Sequence, residues 1–93
     1  GDLPNSFIIR ARGDSMIDAD IKDGDLVIFK AQPKVENGEI ALININGKSI
    51  IKYFYLIGEE CELRSANPAY PPIKHPISEI NIIGKFVEVL EHK

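Results

Sequence analysis

Asn46-Gly47 stands between two strand-like, largely aliphatic runs, residues 39–45 and 48–56. Both central positions of the tight turn that joins antiparallel strands need positive φ, which asparagine and glycine tolerate best. The dipeptide therefore predicts a hairpin in which 48–56 returns antiparallel to 39–45. Composition extends that expectation to the whole chain. Sixteen Ile and four Val outnumber six Ala, six Leu and one Met, with no Thr or Trp, and β-branched side chains at this density favour pleated surfaces over helices. The expected class is mostly β with short helical turns.

Further elements follow from local signals. Residues 6–12 read as a first strand ended by the turn pair Gly13-Asp14. Residues 15–21 place apolar side chains at 16, 17 and 21, which predicts one short helical turn capped by Asp14 or Ser15. Asp23-Gly24-Asp25 punctuates the chain before residues 26–29, an unbroken apolar run expected to be buried on both faces. Residues 62–64 form a short strand candidate. The stretch 67–72 holds three of six prolines and is expected to be an ordered surface loop. Residues 82–90 close the chain as a last strand, with Gly84 marking a bulge or a close approach.

With 93 residues, 44% of them apolar, the chain supports one core, and no repeat or linker divides it, so 1–93 is read as one domain. Eleven Lys and Arg against 14 Asp and Glu give a net charge of −3, which offers no electrostatic footprint for gripping nucleic acid unaided. No apolar run is long enough for a membrane span, and the opening Gly1-Asp2-Leu3-Pro4-Asn5 has no signal character, so a soluble, cytoplasmic chain without membrane contact is expected. The single cysteine, Cys61, fits a reducing compartment and excludes an internal disulfide or a Cys-based zinc site. No cofactor or metal is expected. Asp14, Asp18, Asp20, Asp23 and Asp25 lack the calcium-loop order and read as solvated turn carboxylates. His75 reads as a loop residue, Cys61 as a small core or surface thiol, and Tyr53 and Tyr55 as packing or dimer-face aromatics.

Chemistry points to the hairpin's second arm. A period of two places Lys52 on one face with Ile50, Phe54 and Leu56. An edge lysine would snorkel its ammonium to water. A lysine held among apolar groups loses hydration of its charged form, its pKa falls, and the neutral amine becomes a general base able to deprotonate a serine. The serine best placed is Ser15, at a strand-to-turn corner that exposes Oγ beside backbone N–H groups able to meet an oxyanion. The plain alternative for Ser15 is a helix cap. Ser6, Ser49, Ser65 and Ser78 have less distinctive surroundings.

Arg12-Gly13-Asp14-Ser15-Met16, the run 21–27, Asn37-Gly38-Glu39-Ile40-Ala41, Ile50-Ile51-Lys52, the run 63–73 and the run 82–87, in that order, resemble the C-terminal domain of the LexA-like self-cleaving proteins. The resemblance covers nearly the whole chain from Phe7 to about Leu90. It implies the β fold shared by LexA-like and signal-peptidase-like enzymes, and a Ser–Lys peptidase that cuts its own polypeptide. Ser15 would be the nucleophile and Lys52 the base, Met16 would flank the nucleophile, and the Ser15 N–H would help form the oxyanion hole. It further implies a homodimer, stimulation by a RecA filament in SOS-responsive members, and contact with operator DNA through a separate N-terminal domain. The family's upstream cleavage segment and helix-turn-helix region are not recognisable here, so an excised domain or cleavage product is expected.

Competing readings are weaker. A Gly-Asp-Ser-Leu esterase needs a late Asp-x-x-His that neither His75 nor His92 supplies, and a signal peptidase would carry a membrane anchor. A repressor dimerisation module that never cuts, or a UmuD-like mutagenesis fragment, would share the same residues. Arg12-Gly13-Asp14 spells an integrin-type tripeptide that suits a cytosolic-looking chain poorly.

Overall fold

A computed structural model describes residues 5–93; the opening residues 1–4, read above for signal character, lie outside it. Among the described residues seven strands form one antiparallel sheet: β1 (Ser6–Arg10), β2 (Leu26–Ala31), β3 (Ile40–Ile45), β4 (Lys48–Ile57), β5 (Glu60–Arg64), β6 (Ile73–Pro76) and β7 (Ile80–Glu91). Their spatial order is β1-β2-β7-β3-β4-β5-β6. Two single 3-10 turns, Ile17–Ala19 and Ile77–Glu79, supply the helical content.

The hairpin forms where its turn dictates. Asn46 and Gly47 have φ of 52° and 82°, so Ile45 pairs with Lys48, and the register carried inward sets Ala41 opposite Lys52. A second two-residue turn, opening with Gly58, pairs Ile57 with Glu60 and Tyr53 with Arg64. β7 returns through the middle of the sheet between β2 and β3. At Gly84 its register slips against β3, and a Cβ there would meet the Lys30 carbonyl oxygen at 2.7 Å. Both parts of the Gly84 expectation are therefore met.

Alternation along the strands builds two apolar clusters. Val27, Phe29 and Leu42 pack with Met16 and Ile21 in one, whereas Ala41, Ile43, Phe54, Cys61 and Leu63 pack in the other. Cys61 is thus a core thiol.

Several local expectations need correction. β1 stops at Arg10 because Gly13, at φ 80°, turns the chain away. In residues 26–29 only Val27 and Phe29 are fully buried; Leu26 and Ile28 are half-buried. The 3-10 turn has no side-chain cap, since Met16 holds the cap position while Asp14 and Ser15 bond elsewhere. Leu56 does not share the burial of Lys52 and Phe54: β4 outruns β3 beyond Tyr53, and Leu56 is exposed. His75 lies in β6, which the flanking prolines hid; an edge strand tolerates proline because its outward groups need no partner. Asp25 is buried, not solvated.

Candidate active site

The segment between β1 and β2 is fixed before any chemistry is considered. The Gly13 N–H donates to Asp23 Oδ1 at 2.7 Å, which closes the corner. Met16 and Ile21, 3% and 2% exposed, sink into the first cluster and pin the short turn between them. The Asp18 N–H donates to the Ala66 carbonyl at 2.8 Å, so the turn is also held by the chain that follows β5. Ser15 is left half-buried at the head of the turn. Among the described residues no acceptor takes the Ser15 or Met16 N–H.

Lys52 sits in the middle of β4, with β3 on one side and β5 on the other. Its cross-strand neighbour on β3 is Ala41, and the β4–β5 register, continued one position past Arg64, brings Ser65 opposite it on the other side. Both neighbours are small, which leaves room beside them for the long lysine side chain. The ammonium donates to Ser15 Oγ at 2.8 Å and to Ser65 Oγ at 2.9 Å. The Tyr70 ring centroid lies 5.7 Å from Nζ. Only 9% of Lys52 is exposed, and no ion pair among the described residues involves it. Burial without a compensating carboxylate pushes its pKa below the ordinary 10.5.

A cleft of about 290 Å³ opens beside this pair, bounded by residues 9–13 on one side and 49–52 on the other, with Ser15, Met16, Ile21 and Leu42 between them. An amine that can lose its proton, a hydroxyl in hydrogen-bond contact with it, free backbone N–H groups at the same corner and an adjoining cleft are together the parts needed for acyl transfer.

The fold brings Ser15, Met16 and Lys52 into this one region, with Met16 facing the core behind Ser15. It also adds residues the sequence reading passed over. Ser65 bonds to Lys52. Asn67 donates from Nδ2 to the Asp14 carbonyl at 2.9 Å, and the Tyr70 hydroxyl donates to the Asp14 carboxylate. The hydrogen bond to that carboxylate raises the Tyr70 pKa. A signal for Ser65 existed: a two-residue turn at Gly58-Glu59 sets its register opposite Lys52. The contacts of Asn67 and Tyr70 had no such local mark. Tyr53 packs against the first cluster, and Tyr55 lies under the Arg64 guanidinium at 4.0 Å. Among the described residues no group of three or more His, Cys, Asp or Glu could hold a metal ion, and no helix is long and apolar enough to cross a membrane.

The sequence matches the model of a family described as Peptidase S24-like over residues 2–87. It is 38% identical to the LexA repressor of Syntrophobacter fumaroxidans over 88 residues, covering 95% of this chain and 43% of that protein. The LexA repressors of Magnetococcus marinus and Acidothermus cellulolyticus are 40% and 43% identical over 92% and 90% of this chain, but over 38% and 30% of their own lengths. The chain therefore spans less than half the length of these curated relatives.

Proposed function

This chain belongs to the Peptidase S24-like family, and from that membership we propose that it is the self-cleaving and dimerising half of a LexA-like repressor, with Ser15 the nucleophile and Lys52 the general base. The observation that carries the reading is the 2.8 Å contact between Ser15 Oγ and an amine largely removed from water.

In the proposed reaction neutral Lys52 takes the Ser15 hydroxyl proton as Oγ attacks a peptide carbonyl lying in the cleft. The Ser15 N–H receives the developing oxyanion. The Lys52 ammonium then returns its proton to the leaving amine, and an ester on Ser15 remains. A water molecule, deprotonated by the same amine, attacks the ester; the ester C–O bond breaks, the Lys52 ammonium returns the proton to Ser15 Oγ, and the new carboxyl end of the peptide is released. Loss of repression follows when the bond cut joins this half to a DNA-binding half; the net charge of −3 suits a domain that leaves DNA contact to another part of the protein. Two copies associating through this half would set the spacing of two DNA-binding heads in a cytoplasmic repressor.

The test joins the chain to its upstream sequence and follows self-cleavage from about pH 7 to about pH 10, where a lysine base gains its neutral form, with and without RecA filaments on single-stranded DNA. Wild type should cut, faster at higher pH, whereas Ser15→Ala and Lys52→Ala should not. Cleavage that persists in either variant removes the dyad and leaves an assembly module.

A further inference from the structure

We propose that Ser65 is a positioning residue for Lys52: its hydroxyl accepts one N–H of the neutral amine and thereby aims the nitrogen lone pair at Ser15. The inference rests on the Ser15–Lys52 reading and adds a third side chain to it.

A neutral primary amine has two N–H bonds and one lone pair, and only the lone pair can take the Ser15 proton. Rotation about Cε–Nζ offers three staggered states, so an amine with nothing to hold it points its lone pair at Ser15 in about one state of three. Ser65 Oγ lies 2.9 Å from Nζ while Ser15 Oγ lies at 2.8 Å. With one N–H committed to Ser65, the rotor is no longer free.

Ser65 is itself held. It follows β5 directly, opposite Lys52 in register. The next residues grip the nucleophile's own turn, through the Asp18 N–H on the Ala66 carbonyl and through Asn67 and Tyr70 on Asp14. One strap therefore presents the acceptor to the lysine and locks the serine that the lysine serves. Few other titratable groups face Nζ. Tyr70 covers it with its ring, and its hydroxyl is engaged by Asp14. Lys85 lies across Ala41 on β7, paired with Glu39.

The hydroxyl also has a sign. An acceptor stabilises the ammonium more than the neutral amine, so removing it should move the lysine's titration to lower pH while leaving the neutral amine badly aimed. A residue that merely fills space would slow the reaction without moving that midpoint.

The experiment uses the chain as it stands and a fluorophosphonate probe. Ser15 Oγ forms the P–O bond, fluoride leaves, and the hydroxyl proton passes to Lys52, so labelling reports the dyad without a peptide substrate. Labelling rates are followed by intact mass from about pH 6 to about pH 10.5, spanning the range in which a depressed lysine titrates, with Lys52 titrated in parallel by NMR. Ser65→Ala should label about 3- to 10-fold more slowly at its plateau, with its midpoint at lower pH. Ser65→Thr should stay within about 2-fold of wild type, and the equal-volume Ser65→Val should behave as alanine does. This last pair isolates the hydroxyl even where alanine loosens the fold. Wild-type labelling with Ser65→Val matching Ser65→Thr in rate and midpoint overturns the role of Ser65 alone. Absence of Ser15 labelling in folded wild type overturns the dyad and this inference with it.

Discussion

Lys52 has two hydroxyls for company and no carboxylate to hold its proton, so its burial works against the folded state at neutral pH. Its folded pKa lies below the ordinary 10.5. Below that folded value the penalty is present in full; between the two values the folded chain has already released a proton that the unfolded chain still binds, and stability rises with pH. Lys52→Met should therefore abolish Ser15 reactivity yet stabilise the fold at pH 7 by about 1 kcal/mol, or about 4–8 °C in Tm. That advantage should shrink as the pH approaches 10.5. Thermal unfolding at neutral and alkaline pH checks both; a methionine variant less stable than wild type at pH 7 would contradict the account. Ser15→Ala should stay within about 0.5 kcal/mol of wild type, because the turn is anchored by Met16 and Ile21 rather than by the serine.

Two glycines show how the strands are set by different forces. Gly47 has open space around its absent Cβ but a φ of 82°, so Gly47→Ala acts through backbone conformation alone. A loss of about 1 kcal/mol is expected, with Gly47→Asn milder because asparagine tolerates the left-handed region. Gly84 is the reverse case. Its new methyl group would press on the Lys30 carbonyl and the Phe7 ring, at 2.7 and 3.0 Å. The carbonyl belongs to the neighbouring strand and cannot swing aside, so Gly84→Ala should lose about 1–3 kcal/mol. Urea unfolding of the two alanine variants, compared with Gly47→Asn, separates strain from crowding. Equal losses for Gly47→Ala and Gly47→Asn would argue against the turn assignment.

At the scale of the whole molecule, Asp25 ties the chain just before β2 to the residues that follow β7. Its carboxylate is 1% exposed and accepts the N–H of Lys22 at 2.8 Å and of Lys93 at 3.0 Å, with His92 Nδ1 at 2.8 Å. The Lys22 and Lys93 N–H groups, helped by His92, hold its pKa down from 3.8 to about 2 against the opposing effect of burial. The stabilisation is present above about 3.8 and is lost as the pH falls through about 2. Asp25→Asn should lower the urea midpoint at pH 6 and flatten the decline of that midpoint between pH 4 and pH 2. An unchanged acid limb would show that the tie carries no stability.

Local physics wrote much of this molecule into its residues. Positive φ at Asn46 and Gly47 is a preference of those two residues alone, and it sets one hairpin and the pairing of Ala41 with Lys52. The β-branched composition led to the sheet, and Gly84 marked its own bulge. The order of motif blocks pointed to the family and to Ser15 and Lys52 as residues to watch. Only the assembled sheet decided what surrounds them. Ser65, Asn67 and Tyr70 reach the nucleophile's turn because β5 ends beside Lys52 and the loop after it folds over Asp14; Asp25 is buried because the end of β7 closes on it. Such contacts join side chains dozens of positions apart, and their existence depends on the register of several strands at once. No residue's own conformational preference records that.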